Sequence, residues 1–340
     1  MAACHQVTAE YFLHVPVSLC FSAKIPQDLA KMVASWFLSF LHSQLFISLP
    51  YPTYDFSNQT IIVTGANTGL GFEAAKHFVR LNASKVILAV RTLSKGEAAK
   101  TSIEASSPLS KTIVEVWHLD LSSYESVKRF AAQVMKLGRL DVLLENAGIM
   151  TGVFKVVEED ESTITTNVIS TELLALLVLP KLRETAEKFR VQPRLSIVSS
   201  DLHFVANFPE RNSEDIFARL NIKEKANMGG RYHSLSAIEA NADSCVRYAV
   251  SKLLEVFFVR ELGARIETSK EPKVLVNCMT PGACRSDFDR ESTGLKKMGF
   301  QVMAALIART TEVGSRTLVA GAAAGLESQG GYMADCIVAM

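Results

Sequence analysis

Tyr248 and Lys252 stand four residues apart in Tyr248-Ala249-Val250-Ser251-Lys252. If that segment is helical, the phenol and the ammonium project from one face. A free tyrosine titrates at about 10. A neighbouring ammonium and a positively charged nicotinamide both favour the phenolate and lower that value. A proton donor tuned toward neutrality is what reduction of a carbonyl needs. Upstream, Ser199-Ser200 closes the apolar run Leu195-Ser196-Ile197-Val198, placing hydroxyls at a strand end. A Tyr-x-x-x-Lys spacing alone is common on helix surfaces, so its weight depends on what else the chain carries.

The chain also carries Thr64-Gly65-Ala66-Asn67-Thr68-Gly69-Leu70-Gly71, set between the strand-like Thr60-Ile61-Ile62-Val63 and the helix opening Phe72-Glu73-Ala74-Ala75. Glycines let the backbone turn tightly and approach a pyrophosphate. The helix start then offers free N–H groups and the positive end of its dipole. The spacing is Gly-x-x-x-Gly-x-Gly, and no Gly-Lys-Ser/Thr follows, which excludes a P-loop. The second strand ends Ala89-Val90-Arg91-Thr92, with Lys95 close by. An acidic residue there would accept from ribose hydroxyls. A guanidinium instead clamps a 2′-phosphate, so the reading is NADP rather than NAD.

The elements that must position these groups follow from pattern. Short β-branched or leucine-rich runs cover residues 60–64, 85–90, 112–117, 140–144, 195–198 and 274–277, separated by segments long enough for crossover helices. Near-continuous apolar strands alternating with helices predict an α/β fold, a doubly wound parallel sheet of Rossmann type in a single domain. That domain is expected over 58–340, after an extension over 1–57. In the extension, residues 32–49 carry no Asp, Glu, Lys or Arg. Ser35, Ser39, His42 and Ser43 share one helical face, opposite Phe37, Phe40, Leu41 and Leu45. This amphipathic helix either packs on its own domain or lies on a membrane surface. Pro50 and Pro52 end it and mark a linker. The run Glu158-Glu159-Asp160-Glu161 reads as a solvated loop or helix start.

With 340 residues, 48% apolar and 21% charged, the chain can bury a large core. Lys and Arg number 36 against 35 Asp and Glu, a net charge of +1, where a nucleic-acid footprint would need a basic excess. Six cysteines without a Cys-x-x-Cys pair point to reduced thiols and a cytoplasmic chain, peripheral to a membrane if residues 32–49 lie on one. His77, His118 and His203 lack ligand spacing, so no metal centre is expected. The absence of a Gly-x-Ser-x-Gly elbow speaks against a hydrolase triad.

Over residues 58–335 these ordered motifs resemble the short-chain dehydrogenase/reductase family, and within it the retinol-dehydrogenase-like members, particularly fungal ones. The resemblance places the cofactor on Gly65, Asn67, Gly69, Leu70, Gly71 and Arg91. Asp120 of Leu119-Asp120-Leu121 would lie near the adenine. Asn146 of Asn146-Ala147-Gly148 would lie at the fourth strand. It implies Tyr248 as general acid/base, and Lys252 as the group that holds the ribose hydroxyls and depresses the tyrosine. Ser200 would bond the substrate oxygen, with Ser199 as the alternative. Asn167 of Thr166-Asn167-Val168 would organise a proton-relay water. Ser286, after Pro281-Gly282, falls where members usually carry a cofactor-contacting Thr. It also implies a small apolar substrate, such as a lipophilic alcohol or ketone, and a homo-oligomer.

Glu145 departs from the family pattern, standing where members often carry Asn. Forty-eight residues separate Ser200 from Tyr248, and Arg231-Tyr232 recurs as Arg247-Tyr248. Residues 232–247 therefore read as an insertion, consistent with a retained intron, at the entrance of the catalytic helix. Related chains usually continue beyond Gly330-Gly331-Tyr332, so a missing terminal element is also expected. These departures leave a catalytically impaired, cofactor-binding relative as the alternative. Phe204, Phe208, Phe217, Phe288, Phe300 and Met303 are the apolar candidates for a substrate lid.

Overall fold

Strands with β-branched residues on both faces need cover on both sides, and the computed structural model of the protein provides it. It describes residues 29–106, 113–223, 247–285 and 307–339. The chain runs α1 (Leu29–Phe46), β1 (Thr60–Thr64), α2 (Gly69–Arg80), β2 (Lys85–Val90), α3 (Leu93–Ser106) and β3 (Val114–His118). Next come α4 (Tyr124–Val134), β4 (Val142–Glu145), the short pair β5 (Val156–Val157) and β6 (Asp160–Glu161), and α5 (Ser170–Phe189) after a π-helical turn at Ile164–Ile169. The rest is β7 (Arg194–Val198), the short α6 (Ile216–Leu220), α7 (Arg247–Thr268), β8 (Leu275–Met279), α8 (Thr311–Ala323), β9 (Tyr332–Ala334) and β10 (Ile337–Ala339).

The main sheet has the order β10-β9-β8-β7-β4-β1-β2-β3. Every pairing in it is parallel except β9 with β10. Buried apolar residues on both faces fix the register, because a slip by one residue would turn each inward side chain over. On one face the core holds Phe130 of α4, Leu174 of α5 and Val250, Leu254 and Val259 of α7. On the other it holds Ala75 and Phe78 of α2, Ile103 of α3 and Leu318 of α8. The strand order reverses between β1 and β4. In doubly wound sheets the crevice beyond the strand ends at that point is where ligands bind. The glycine turn, Asn146, Ser199-Ser200 and Pro281-Gly282 all follow the carboxyl ends of these strands.

The extension is docked on the domain by a side that mixes both faces of its pattern. Arg309 donates to the Ser43 carbonyl at 2.7 Å and to the Asp335 carboxylate at 2.8 Å, and the Ser43 hydroxyl donates to Asp335 at 2.8 Å. Gln44 is buried against Gly282, while Leu38 and Phe46 are 67% and 76% exposed. Ser35, Ser39 and His42 stay exposed, and the inward side mixes half-buried Trp36, Phe40, Leu41 and Ser43 with buried Gln44. After the two prolines the chain still packs: Leu49 and Phe56 are buried, and Phe56 meets Phe78 edge-on at 5.0 Å. Among the described residues one helix, Ile164–Phe189, is long and apolar enough to cross a membrane. Its apolar stretch is 83% buried, as expected of a core helix.

Candidate active site

The glycine turn is built for close backbone approach. Gly65 has φ +66°, and a Cβ on it would lie 3.0 Å from the Ala147 Cα. A Cβ on Gly71 would lie 2.5 Å from Asn146 Nδ2 and 2.9 Å from the Gly65 carbonyl. Asn146 staples the ends of β1 and β4 together. Its Nδ2 donates to the Thr64 carbonyl at 2.9 Å, and the amides of Asn146 and Ala147 both donate to Thr64 Oγ1 at 2.9 Å. Gly69, at φ +64°, opens α2, and the preceding Thr68 makes no side-chain cap. First-turn N–H groups of α2 thus stay available to an anion. Beside the turn, Asn67, Thr68, Phe72 and Lys95 line a cleft of about 520 Å³. Leu70 is half-buried, and Arg91 is exposed just past β2. Asp120, just past β3, accepts from the amide and hydroxyl of Ser122 at 2.9 and 2.7 Å, fixing the turn into α4.

At the carboxyl end of β7 the structure brings Tyr248, Ser200 and Lys252 together. The Tyr248 phenol is hydrogen-bonded to the Ser200 side chain, and Lys252 Nζ lies 5.6 Å from the tyrosine ring centre. Ser199 points elsewhere: its buried hydroxyl donates to the Lys252 carbonyl at 2.9 Å. Asn167 sits in the π-helical turn, a distortion frequent at functional positions. Its Oδ1 accepts from the Ile149 amide at 2.8 Å, and its Nδ2 donates to the Ile149 carbonyl at 2.9 Å and to Ser251 Oγ at 3.1 Å. Ser251 Oγ in turn donates to the Tyr248 carbonyl at 2.7 Å. Asn167 thereby ties the loop after β4 to α7. Arg247, fully buried at the start of α7, donates to the Leu220 carbonyl at 2.9 Å and anchors the helix entrance.

The protein's own groups act on the phenol in both directions. Burial pushes the Tyr248 phenol above its ordinary value; Lys252 pulls it down, Glu255 pushes it up, and the Ser200 hydrogen bond pulls it down again. The net direction is up, not down, in the chain without cofactor. Lys252 donates to the Val198 carbonyl at 2.9 Å and to Glu255 Oε1 at 2.7 Å. Burial pulls the Lys252 ammonium down, but Glu255 and Tyr248 more than offset it, and it stays above the ordinary lysine value. Glu255 is held up at about 7 by burial, against the pull of Lys252. Glu145 and Glu172 are also buried, and burial together with Glu255 keeps both well above the carboxylate range.

Sequence reasoning did not reach Glu255 or Glu172. The signal for Glu255 was present, since Tyr248, Lys252 and Glu255 recur at i, i+4 and i+7 along one helical face. The acidic run corrects an expectation. Asp160 and Glu161 are fully buried in β6, where Glu161 caps the next turn by accepting from the Thr163 amide at 2.9 Å. His77 pairs with Glu312 at 3.0 Å, and His203 Nδ1 lies 2.7 Å from the Ser200 carbonyl. Of the lid candidates, Phe208 is core, Phe217 packs against the core, and Phe204 is half-exposed over His203 and Tyr332. Ser286, Phe288, Phe300, Met303 and residues 232–246 of the expected insertion lie outside the described residues.

Comparison with known proteins agrees with this geometry. A family model described as short chain dehydrogenase matches residues 59–190. A short chain dehydrogenase/reductase of Cryptosporiopsis sp. (strain 8999) is 45% identical over 300 residues, covering 88% of this chain and 88% of its own. A short chain dehydrogenase of Emericella nidulans is 43% identical over 302 residues, covering 88% of this chain and 91% of its own. Among solved structures, the oxidoreductase yciK of E. coli matches with a TM-score of 0.57 at 22% identity, over 84% of this chain and 98% of its own. A short chain dehydrogenase of Shigella flexneri 2a complexed with NADP matches with a TM-score of 0.54 at 21% identity, over 84% and 99%. At such identities the solved structures share the fold.

Proposed function

The chain belongs to the short-chain dehydrogenase family of oxidoreductases, and from that premise we propose that it interconverts an apolar alcohol and ketone with NADP(H) as cofactor. The fungal relatives support a substrate drawn from fungal secondary metabolism. One observation carries the reading: the Tyr248 phenol and the Ser200 hydroxyl are hydrogen-bonded to each other at the carboxyl end of β7, with the Lys252 ammonium beside them.

The dinucleotide fits the residues present. Side chains on Gly65 or Gly71 would strike Ala147 or Asn146 and force the turn out of shape, and the uncapped start of α2 offers its N–H groups to a pyrophosphate. Arg91, Lys95 and Asn67 would hold a 2′-phosphate, which is the reason for preferring NADP. Bound nicotinamide supplies or accepts the hydride. In the reductive direction Ser200 donates a hydrogen bond to the substrate oxygen and fixes its position. Tyr248 gives its phenolic proton to the same oxygen. Lys252 stabilises the phenolate left behind through its charge, and its remaining N–H would reach a ribose hydroxyl. Asn167 keeps the loop after β4 fastened to α7, so the phenol and the cradle stay in register.

The test is a titration of purified protein with NADPH and NADH, followed by assay of a panel of apolar ketones with wild type and Tyr248→Phe. Turnover by wild type that Tyr248→Phe abolishes, with NADPH binding retained, supports the proposal. Tight NADPH binding with turnover by neither protein supports a catalytically impaired relative instead. Arg91→Ala should weaken NADPH more than NADH; equal losses would remove the case for NADP.

A further inference from the structure

We infer that Glu255 is a positioning residue for this reaction: its carboxylate clamps the Lys252 ammonium in a buried slot and sets how much of that positive charge the Tyr248 phenol feels. The inference rests on the roles proposed above for Tyr248 and Lys252.

An ammonium has three N–H donors. Val198 O takes one at 2.9 Å and Glu255 Oε1 takes another at 2.7 Å. A single donor remains for the side where Tyr248 lies. Lys252 and Glu255 are 5% and 2% exposed. A buried ion pair of this kind is no more stabilising than well-packed apolar residues of the same volume. Stability therefore does not account for the pair, whereas aiming one ammonium does.

Of the three buried carboxyls in this pocket, Glu255 is the one paired with a cation. Glu145 reaches it from the end of β4 and Glu172 from α5, and neither carboxyl has a hydrogen-bond partner among the described residues. Burial and then Glu255 raise both carboxyls well above the ordinary carboxylate range, and Glu145 adds to the rise at Glu172. Cys278 of β8 is neutral, its thiol held far above the ordinary range by burial. Ser199, at the end of β7, donates its hydroxyl to the Lys252 carbonyl, and Asp201 acts on Tyr248 from the next turn. Lys252 is thus the only cation bonded to Glu255 among the described residues. With Glu255 charged, the field of Lys252 at the phenol is partly cancelled. Burial is the main reason that the phenol sits high, and Glu255 adds to it.

Two variants separate charge from clamp. Glu255→Gln keeps an oxygen that accepts from Lys252 but removes the charge. Glu255→Leu removes both and restores apolar packing, so it serves if the glutamine variant does not fold. The substrate-free readout is an ultraviolet difference titration of tyrosinate in the full chain, with the Tyr248→Phe spectrum subtracted to isolate one phenol. Either folded variant should titrate at lower pH than wild type. If wild type denatures before the phenol titrates, the alkaline limb of kcat with the best ketone of the panel reports the same group and should move the same way. Glu255→Leu should in addition lower kcat roughly ten- to a hundredfold, the loss expected when an ammonium moves by about an ångström. An unmoved or raised midpoint in the folded variants overturns the inference. If that happens while Tyr248→Phe is inactive, only the role of Glu255 falls. If Tyr248→Phe keeps its turnover, the proposed chemistry falls instead.

Discussion

Replacing Gly71 by alanine tests whether the turn after β1 is a cradle or merely a loop. The added methyl would sit 2.5 Å from Asn146 Nδ2, about 0.9 Å inside ordinary contact, and 2.9 Å from the Gly65 carbonyl. Neither neighbour yields freely. Asn146 Nδ2 is held by the Thr64 carbonyl at 2.9 Å, and the Gly65 oxygen is backbone in the turn itself. Forcing a methyl into a packed site costs about 1–3 kcal/mol, and losing the Asn146 bond adds about 1 kcal/mol. If the Gly65 peptide shifts to relieve the clash, the anion site moves with it. NADPH affinity should then fall at least about tenfold, equivalent to ~1.4 kcal/mol. Gly138→Ala, where nothing lies within 4 Å, is the control for adding a methyl in open space. Asn146→Ala in the Gly71→Ala background removes one of the two clashes and should recover part of the loss. The assays are equilibrium NADPH titration by fluorescence and urea denaturation. A Gly71→Ala protein matching Gly138→Ala in both would refute the steric argument.

Glu172→Leu should stabilise the protein by about 1–3 kcal/mol, because both carboxyl oxygens are buried without a partner. The carboxyl is raised in the fold, so the unfolded chain ionises first as pH climbs past 4.5 and the wild type loses stability there. The advantage of the variant should therefore grow with pH above that point, and urea melts showing it shrink would contradict the burial argument. Arg309→Met strands Asp335 in a largely buried position and should cost about 3 kcal/mol locally. Amide exchange over Leu29–Phe46 should speed up, and unchanged exchange would mean that this ion pair does not hold α1. We also propose that the exposed Leu38, Leu45 and Phe46 rest on a membrane surface. Wild type should then sediment with vesicles of phosphatidylcholine and phosphatidylserine, while Leu38→Glu/Phe46→Glu stays in solution; equal sedimentation would end that proposal.

Much of the architecture was legible because it depends on local pattern. The strands predicted at 60–64 and 85–90 match β1 and β2 residue for residue, and the others shift by one or two positions at their ends. Apolar runs buried on both faces leave few alternatives to a parallel sheet. The glycine turn was legible for the same reason: strand, glycines and helix are contiguous. The docking face of α1 was not. Its amphipathic pattern says which residues share a side but not what they meet, and Arg309 and Asp335 lie more than 250 residues away along the chain.

The site's charges were misread through one shared assumption. An acidic residue in a sequence reads as solvated because burying a charge is costly. That reading failed at Asp160 and Glu161, and it gave no reason to single out Glu172 and Glu255, all of which are buried. At β6 the cost is offset locally, since Glu161 accepts from the Thr163 amide and Asp160 accepts from Asn221 Nδ2 at 2.7 Å. Beneath Tyr248 it is not offset by hydrogen bonds. Glu145 and Glu172 remain without partners, and Glu255 is matched by Lys252 alone. A fold keeps such a cluster at the expense of stability. Where the cluster touches the group that must hold and release a proton, the charge distribution is the property being kept. The expected downward shift of the phenol rests on two cations, the ammonium four residues on and a bound nicotinamide, and leaves out burial. Burial reverses the sign, and the carboxylate three residues further along the same face adds to it, so the acidity of Tyr248 depends on its burial and on Glu255 as well as on Lys252.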